Sequence, residues 1–362
     1  MLPEVSSPEI GSEFHWDPAL LAGGGRRWLP ARHELFATAC GALQTLLLAL
    51  EPRGRLHLPS YFCMGVAEAL SADLPIAWYR HLPDGHGPRW PTLRAADGDV
   101  VLAQNLFGRD EGGRWYAWTR AHPGVTVIED HSHDPFGRWA RESDAPYAIA
   151  SLRKTLPVPD GGLAWSPRGL AVPRPAGPES AGAHLKLAAM LLKSAWRDGS
   201  PVSKDGFREL QQRGERLLLG SPGPACALTA AVLPLLDLAE IRRRNVAGAR
   251  ALAVALPART GAWRVLGAGP FRMQLLCPAG TTRDELLRHL AAHGIFAPVH
   301  WRQERTGVWS GDEEAAGLAE RMLTVPVDHR CSPADVRRIA QVLLTFEGAT
   351  EGRPPAGPVP AT

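Results

Sequence analysis

An aspartate and a lysine follow two consecutive strands that the sequence predicts. Residues 125–129 and 148–152 are short apolar runs of the kind found in buried strands. Asp130 comes directly after the first run, in VIEDHSH, and Lys154 follows the second, in ASLRKTLPVPDGG. Because the carboxyl ends of neighbouring parallel strands meet at one crevice, we expect the two side chains to converge on one site.

A lysine amine beside a carboxylate suits the chemistry of pyridoxal 5'-phosphate. The amine forms a Schiff base with the cofactor's aldehyde, and the carboxylate keeps the pyridine nitrogen protonated, so that the ring can accept electrons from the substrate. Taken singly, such an aspartate is more often a loop residue or helix cap, and such a lysine is more often solvated surface. The order Asp130 then Lys154, closed by a turn at Gly161 and Gly162, makes the pair informative. We predict that both residues are catalytic.

Lysine is scarce in this chain, which gives Lys154 extra weight. Of the 40 basic residues only four are lysines, at positions 154, 186, 193 and 204. Arginine has almost replaced lysine, so a lysine kept inside an apolar, glycine-flanked segment is unlikely to be incidental surface charge.

The chain resembles the DegT/DnrJ/EryC1/StrS family of fold type I pyridoxal-phosphate aminotransferases over roughly residues 35–346. The family's Glu-Asp-x-Ala-His/Gln motif corresponds to EDHSH at 129–133, and its lysine with a later Gly-Gly corresponds to Lys154 with the glycines named above. GIFAPVHW and LTVPVDHRCSPADVRRI correspond to its closing strand, Leu-Pro turn and helix. The resemblance implies that Asp130 contacts the pyridine nitrogen and that His133 lies near the cofactor's phenolic oxygen.

The phosphate site departs from the family pattern. Where the family opens the phosphate-binding helix with Ser-Gly-Thr, this chain has Thr38, Ala39 and Cys40. Backbone N–H groups at a helix N-terminus can hold a phosphate without those side chains. The family's phosphate-contacting serine falls on Ile149 here, so Ser151 is the candidate, and Arg153 could also supply charge.

The aromatic residue that the family stacks on the pyridine ring falls in Pro-Ser-Tyr-Phe-Cys at 59–63. Strict alignment gives Cys63, but only an aromatic ring offers a stacking face, so we favour Phe62 and then Tyr61. Asn105 replaces the histidine of the family's His-x-Tyr-Gly and is a cofactor candidate, although a turn asparagine is an equal reading.

Substrate contacts are assigned to the segment that follows the last matching strand. His300, Trp301 and Arg302 are the candidates, and an arginine such as Arg302 or Arg305 could clamp a substrate carboxylate.

The function that follows is transfer of an amino group from an amino-acid donor to a keto acceptor, such as a sugar or natural-product intermediate. The same cofactor chemistry also supports a lyase, a decarboxylase or a bond-forming enzyme, and the altered helix start and the pair His131 and His133 leave room for one. A non-catalytic regulatory module is the third alternative, and the retained Lys154 argues against it.

The expected fold class is α/β, with a mostly parallel, helix-flanked sheet and a smaller C-terminal α+β domain. We assign residues 1–240 to the large domain with an N-terminal arm, 241–347 to the small domain, and 348–362 to a disordered proline-rich tail. One long helix is expected to begin near Leu228, and a strand is expected over 296–300. A homodimer is expected, with residues 177–224 completing the neighbouring site.

Composition excludes several other classes. The formal net charge is +3 and no basic stripe occurs, so we expect no nucleic-acid partner. The five scattered cysteines show no metal-binding spacing, so we expect no metal and reduced thiols in the cytosol. We also expect neither a signal peptide nor a membrane span.

Overall fold

The computed structural model describes residues 9–21, 29–305 and 307–346. The expected disordered tail at 348–362 therefore lies outside the described residues. Within these ranges no helix is long and apolar enough to cross a membrane.

The strands are, in chain order, β1 (Ile10–Gly11), β2 (His33–Phe36), β3 (Leu56–Pro59), β4 (Ile76–Tyr79), β5 (Val100–Gln104), β6 (Thr126–Asp130), β7 (Tyr147–Ser151), β8 (Gly162–Trp165), β9 (Arg264–Ala268), β10 (Arg272–Leu276), β11 (Ile295–Phe296) and β12 (Met322–Pro326).

The α-helices are α1 (Ala39–Leu50), α2 (Met64–Ser71), α3 (Gly113–Ala121), α4 (Arg138–Glu142), α5 (Ala181–Arg197), α6 (Lys204–Leu218), α7 (Ala227–Val232), α8 (Leu238–Ala255), α9 (Gly280–Ala292), α10 (Glu313–Arg321) and α11 (Pro333–Leu344).

A seven-stranded sheet organises the larger part of the chain, in the order β2-β8-β7-β6-β5-β3-β4. The pairs from β4 to β7 are parallel, and β8 runs antiparallel to both of its neighbours. This arrangement confirms the predicted mostly parallel α/β fold. It also places the carboxyl ends of β5, β6 and β7 at one edge.

The central strands are mostly apolar because helices cover both faces of the sheet. In β5, Val100 and Leu102 pack in a core with α1 and α2, whereas Val101 and Ala103 pack with Trp115 of α3 on the opposite face. Alternate side chains of a strand point to opposite faces, so a strand that is buried on both faces is apolar at most positions.

A three-stranded antiparallel sheet, β12-β10-β9, forms the second core with α8, α9 and α11. Helix α8 belongs to both cores, since Leu238 and Ile241 pack with the large sheet and Leu252 packs with the small one. Ile10 also joins the small core, because β1 pairs in parallel with β11. The boundary between residues 240 and 241 stays a prediction, and the N-terminal arm contacts the small domain rather than the large sheet alone.

Two expected elements differ from the structure. The helix expected to begin near Leu228 is interrupted after α7, where Pro234 lies in a 3₁₀ turn and Asp237 caps a new helix, α8. Proline lacks the N–H that a helix interior needs. The strand expected over 296–300 ends at Phe296, since Pro298 cannot donate to a ladder. The capping box of Ser332 and Asp335 is confirmed at the start of α11.

Ion pairs attach the N-terminal arm to the helical hairpin of α5 and α6. The Glu9 carboxylate lies 2.6 Å from Lys193 Nζ and 2.8 Å from Lys204 Nζ. Lys186 Nζ joins Glu13, at 3.0 Å, to Glu215, at 2.8 Å. Three of the four lysines therefore hold the arm in place, and only Lys154 is left for another role.

We predict that acid releases this arm. Burial alone would raise the pKa of Glu9, but Lys193 and Lys204 lower it to about 2, and Arg153 and Lys186 lower the pKa of Glu215 to about 2. Both folded-state values lie below the usual value of 4.5, so the carboxylates stabilise the arm above that pH and lose this effect as pH falls toward 2. Amide hydrogen exchange over residues 9–16, corrected for its intrinsic pH dependence, should rise in that window.

Glu9→Gln should exchange faster over these residues at neutral pH and respond less to acid, whereas Glu68→Gln, at an exposed position, should behave as the wild type. Exchange over the arm that stays constant from neutral pH to pH 2 would contradict the assignment of its docking to these carboxylates.

Candidate active site

Lys154 and Asp130 are brought together by the ends of two paired strands. Asp130, the last residue of β6, is in register with Ile149 of β7. Strand β7 ends at Ser151 and passes into a 3₁₀ turn, Leu152–Lys154, whose last residue is the lysine. Burial lowers the pKa of the Lys154 amine, and the negative charge of Asp130 opposes that effect. The two side chains therefore lie close enough for the charge of Asp130 to act on the lysine amine, and their catalytic roles stay predictions.

Neither of these two groups has an ion-pair partner in the part of the chain that the structure describes. Among the described residues, no carboxylate oxygen lies within 4.0 Å of the Lys154 amine, and no basic nitrogen lies that close to the Asp130 carboxylate. Asp130 is 8% exposed, and its Oδ1 accepts a hydrogen bond from the backbone N–H of Ser132 at 2.9 Å. A buried carboxylate normally has a cation or several donors, so Asp130 retains the capacity to bind a cationic group.

The glycine turn after Lys154 fits tightly against the start of α1. Gly161 has φ of +125°, a conformation that favours glycine. A Cβ at Gly162 would lie 2.2 Å from the carbonyl carbon of Thr38 and 2.5 Å from the nitrogen of Ala39. The Gly-Gly pair therefore allows the lysine segment to approach the N-terminus of α1.

His133 is a neutral, buried imidazole beside the lysine. Its Nδ1 accepts a hydrogen bond from the backbone N–H of Phe107 at 2.9 Å, so in the neutral ring the proton is on Nε2. Burial, with the nearby charges of Lys154 and Arg272, holds the pKa of His133 well below its usual value. Nε2–H is thus available as a fixed donor.

Two aromatic side chains contact this imidazole and also each other. Phe107 stacks on His133 with ring centroids 5.2 Å apart, and Trp301 stacks on it at 5.5 Å. Phe107 has φ of +57°, which costs a bulky residue roughly 1–3 kcal/mol. The Lys154 amine lies 5.7 Å from the centre of the Trp301 ring. Among the described residues, Trp301 therefore places an aromatic ring near the Lys154 amine.

His131 does not contribute to this site. Its Nε2 lies 2.9 Å from the Glu129 carboxylate, which also accepts from Trp139 Nε1 at 2.8 Å. His131 and Trp139 also lie edge to face, with ring centroids 4.9 Å apart. His131 therefore belongs to this buried cluster, whereas His133 lies beside the lysine.

A cavity of about 490 Å³ contains Lys154 and lies between the arm, α5 and the small domain. The side chains that line it include Glu13, Lys154, Lys186, Glu215, Phe271, Arg272, His300, Asp328 and Arg330. The volume falls in the range usual for small-molecule sites, roughly 300–1,000 Å³. The cavity brings Lys154 together with residues that lie more than a hundred positions later in the sequence.

Arg272 is a site residue that the sequence analysis missed. Its Nη1 donates to Nε2 of His300 at 3.3 Å, and His300 Nδ1 then donates to Thr324 Oγ1 at 2.7 Å. The hydroxyl of Thr324 in turn donates a hydrogen bond to the carbonyl of Pro298 at 3.1 Å. Burial and the neighbouring charge of Arg272 hold the pKa of His300 well below its usual value. This chain fixes the neutral tautomer of His300 and the direction of the guanidinium.

The residues predicted for the phosphate site lie at the start of α1. Thr38 caps this helix, with Oγ1 accepting from the N–H of Gly41 at 3.0 Å. Ala39 and Cys40 begin the helix, and their N–H groups have no acceptor within the described residues. Burial and the nearby Cys63 thiol raise the pKa of Cys40 to about 11, so this thiol is neutral. The free N–H groups suit an anion.

The preference for Phe62 as the stacking residue is not supported by its position. Phe62 packs in the core under α1 and α2 and is 3% exposed, and its carbonyl accepts from Gln303 Nε2 at 2.8 Å. Tyr61 is fully buried, and its hydroxyl donates to the carbonyl of His300. Cys63, the strict alignment position, is close enough to Lys154 for its charge to affect the lysine pKa.

Two further candidates take part in backbone contacts. The N–H of Ser151 donates to Ser132 Oγ at 2.9 Å, which joins the ends of β6 and β7. Asn105 Oδ1 accepts from the N–H of Asp110 at 3.2 Å, as expected for a turn asparagine. A cofactor contact by either side chain stays a prediction.

Of the three arginines proposed from the sequence, Arg153 lines the cavity, whereas Arg302 and Arg305 do not. Arg153 is bound to both carboxylate oxygens of Glu215, one of them at 2.7 Å, so it is not free for a phosphate. Arg305 pairs with Glu313 and Glu320 on the surface, and Arg302 is exposed and does not line the cavity. The surface ion pairs of Arg305 do not support a carboxylate clamp at that residue, and a clamp at Arg302 stays a prediction.

The described residues contain neither a metal-ligand cluster nor a disulfide. No group of three or more His, Cys, Asp or Glu side chains in residues 9–21, 29–305 and 307–346 could hold a metal ion. The five cysteines are all free thiols.

Comparisons with known proteins identify the fold. No family model matches the sequence, and no curated protein matches it. An aminotransferase of the DegT/DnrJ/EryC1/StrS type from Brucella abortus has 17% identity and a TM-score of 0.60, with 92% of this chain and 88% of that chain covered. DesI, solved in the presence of its TDP-sugar product, has 17% identity and a TM-score of 0.59, covering 93% and 91%. Spr1654 from Streptococcus pneumoniae, in its PLP-form, has 14% identity and a TM-score of 0.56, covering 91% of each chain.

These similarities extend over about nine tenths of each chain. At such low identity they show that this chain has the fold of those proteins, which agrees with the fold class expected from the sequence.

Proposed function

We propose that this protein is a pyridoxal-phosphate-dependent aminotransferase of the DegT/DnrJ/EryC1/StrS type, which moves an amino group from an amino-acid donor to a keto acceptor. One observation carries the proposal: Lys154, the lysine without a carboxylate partner among the described residues, lies beside Asp130, a buried carboxylate without a cation. The other three lysines are engaged in ion pairs. The family resemblance and the shared fold support the same assignment.

The residues present fit the cofactor. The Lys154 amine would bind its aldehyde carbon, Asp130 would receive the protonated pyridine nitrogen, and Nε2–H of His133 would donate to the phenolic oxygen. The free N–H groups at the start of α1 would bind the phosphate. Each group matches an unsatisfied donor, acceptor or charge of this chain. The fit at the phosphate rests on backbone groups, since Thr38 is used as a helix cap.

When bound, the cofactor supplies an electron sink that makes a proton on the donor's α-carbon acidic. The chain's own task is then to move that proton. Lys154 is suited to it because burial lowers the pKa of its amine, so a larger fraction is neutral and able to accept a proton. Asp130 would keep a proton on the ring nitrogen, and the stacked rings of His133 and Trp301 would limit access of water. The acceptor proposed is a keto sugar or a related natural-product intermediate, because one protein with this fold was solved with a TDP-sugar product.

We also propose that the enzyme is a homodimer in the cytosol. The hairpin of α5 and α6 exposes leucines at both of its ends, Leu191 and Leu192 on α5 and Leu217 and Leu219 near the end of α6, with exposures from 36% to 65%. A second copy covering this hairpin would bury them. The free cysteines suit a reducing compartment.

Covalent capture of the cofactor tests the assignment of Lys154. We expect protein incubated with pyridoxal phosphate and then reduced with borohydride to carry the cofactor on the peptide that contains Lys154, as read by mass spectrometry. Lys154→Ala should lose this label, and Lys204→Arg, which keeps a cation near Glu9, should retain it. Equal labelling of Lys154→Ala and wild type would remove the basis of the proposed function.

Asp130→Asn separates catalysis from cofactor attachment. Asparagine keeps the size of the side chain but removes the charge, and an opposite charge at close range shifts a pKa by roughly one to three units, each about 1.4 kcal/mol. We therefore expect the first half-reaction to slow by roughly ten- to a thousandfold, with little loss of bound cofactor. Single-turnover mixing with the best amino donor measures the rate, and absorbance measures occupancy.

Asp73→Asn, on an exposed position between α2 and β4, is the matched control and should react at the wild-type rate. An Asp130→Asn enzyme that binds the cofactor and reacts normally would show that another group supports the ring.

The dimer is tested by light scattering on the wild type and on a variant with Leu217→Asp and Leu219→Asp. The variant should be monomeric and less active, because charged side chains cannot be buried at the proposed contact. Val254→Asp, at an 88% exposed position on α8, should remain dimeric. A wild-type protein that is monomeric and fully active would refute the proposal.

A further inference from the structure

A second cavity, larger than the one at Lys154, is built from the segments that follow β4 and β5. Its volume is about 750 Å³, and its lining residues lie within 81–91 and 106–114. No residue lines both cavities. Leu106, in the wall of the second cavity, packs in one core with Trp301, so a hydrophobic layer lies between this cavity and the lysine. The proposed function uses no group of the second cavity.

Arg109 is a guanidinium of the second cavity that has no counter-charge in the described part of the chain. No carboxylate oxygen there lies within 4.0 Å of it. Its Nη1 donates to the carbonyl of Pro83 at 3.2 Å, and its other N–H groups have no acceptor among the described residues. Burial lowers the pKa of Arg109, and the charge of Asp84 opposes this effect. An anion that enters the cavity would supply the missing charge.

Two glycines fix the position of this guanidinium. A Cβ at Gly267 of β9 would lie 2.3 Å from Cζ of Arg109, and a Cβ at Gly85 would lie 2.5 Å from its Nη2. Gly85 has φ of +85°, which also favours glycine at that position. Because glycine carries no charge, these contacts hold the guanidinium in place and leave its charge unbalanced.

His81 supplies a second group without a partner. It lines the cavity and is only 3% exposed, and its Nδ1 has no hydrogen-bond partner within the described ranges. Burial lowers the pKa of His81 to about 4, so the ring is neutral at neutral pH. A buried ring nitrogen without a partner is unfavourable, and a ligand in the cavity would provide the missing contact.

The remaining charges of the second cavity favour a monoanion over a dianion. Asp110 and Glu111 also line it, and neither has a basic nitrogen within 4.0 Å among the described residues. Arg89 is already paired with Asp84, and Arg114 is exposed. A dianion would bring a second negative charge toward the two unpaired carboxylates, whereas a monoanion is balanced by Arg109 alone.

The other walls of the second cavity are largely apolar. Leu82 and Leu106 are buried, and Pro83, Pro88 and Trp90 also line the space. The volume lies within the range usual for small-molecule sites, roughly 300–1,000 Å³, and far exceeds that of a simple inorganic ion. An occupant therefore needs an apolar body beside its charged group.

We propose that the second cavity is a binding site for a monocarboxylate with an apolar or aromatic body. Its carboxylate binds the guanidinium of Arg109, which offers the paired donors that two carboxylate oxygens accept. A polar atom of the ligand meets the neutral ring of His81, and the apolar body lies against Leu82, Trp90 and Leu106. The inference goes beyond the proposed function, since this ligand is neither the amino donor nor the acceptor.

Photo-crosslinking on the purified wild-type protein locates the site without any substitution. The probe is 4-benzoylbenzoate, an aromatic monocarboxylate whose ketone reacts with nearby C–H bonds under ultraviolet light. We expect mass spectrometry to find the label on peptides from 81–91 or 106–114, and an excess of 3-phenylpropionate to reduce it. Benzophenone, which lacks the carboxylate, should label these peptides less. Labelling confined to other peptides, such as the one that contains Lys154, would overturn the proposal.

Isothermal titration calorimetry with 3-phenylpropionate tests the role of Arg109. We expect Arg109→Gln to bind this probe roughly ten- to a hundredfold more weakly than wild type, and Arg109→Lys, which keeps the charge without the fork, to be intermediate. Arg94→Gln is the matched control, because Arg94 is exposed in the same region and does not line the cavity, and it should bind as the wild type does. Circular dichroism establishes that each variant is folded.

Phenyl phosphate, titrated in parallel, separates the two kinds of anion. It should bind more weakly than 3-phenylpropionate, because its second charge is unfavourable near Asp110 and Glu111. Tighter binding of phenyl phosphate would overturn the assignment of a monocarboxylate. Wild-type protein that does not bind 3-phenylpropionate, or equal affinities of wild type and Arg109→Gln, would refute the site itself.

Discussion

Burial of charge is the constraint on which the rest of this structure depends. Each buried charge needs a partner, and the chain supplies partners for almost every lysine and carboxylate around the cavity. Glu215 forms ion pairs with both Arg153 and Lys186, and Glu9 forms ion pairs with both Lys193 and Lys204. Among the described residues, Lys154, Asp130 and Arg272 have no opposite charge within 4.0 Å. Residue type alone does not reveal this lack of a partner.

The paired charges have their own effect on the site, because they build one wall of it. The arm reaches the cavity through Ser12 and Glu13, and it is held there by the hairpin of α5 and α6 on one side and by Arg330 on the other. The wall and the catalytic segment share a residue, since Arg153 precedes Lys154 and binds Glu215. Movement of the hairpin would therefore displace Arg153, which directly precedes Lys154.

Sequence reasoning located the parts of the site that depend on local order. Asp130 and Lys154 follow strands that are adjacent in the sheet, so their convergence could be read from two short segments. The contacts of Arg272 and Arg153 could not be predicted in this way, because their partners lie 28 and 62 positions away in sequence. The arginine-rich composition made any single arginine a weak choice. Pairing decides which arginine is free, and pairing is a property of the folded chain.

Packing also limits what the sequence can predict about the aromatic residues of the site. Phe62 and Tyr61 lie in the segment where a stacking ring was expected, but a ring after a buried strand can be claimed by the hydrophobic core, as Phe62 is. Trp301, from the small domain, instead supplies the ring that contacts both His133 and Lys154. Two features of the site, Trp301 and Arg272, therefore belong to the small domain, while Asp130 and Lys154 belong to the large sheet. The cavity exists only where these two parts meet, so their relative placement determines whether the unpaired groups can act on one substrate.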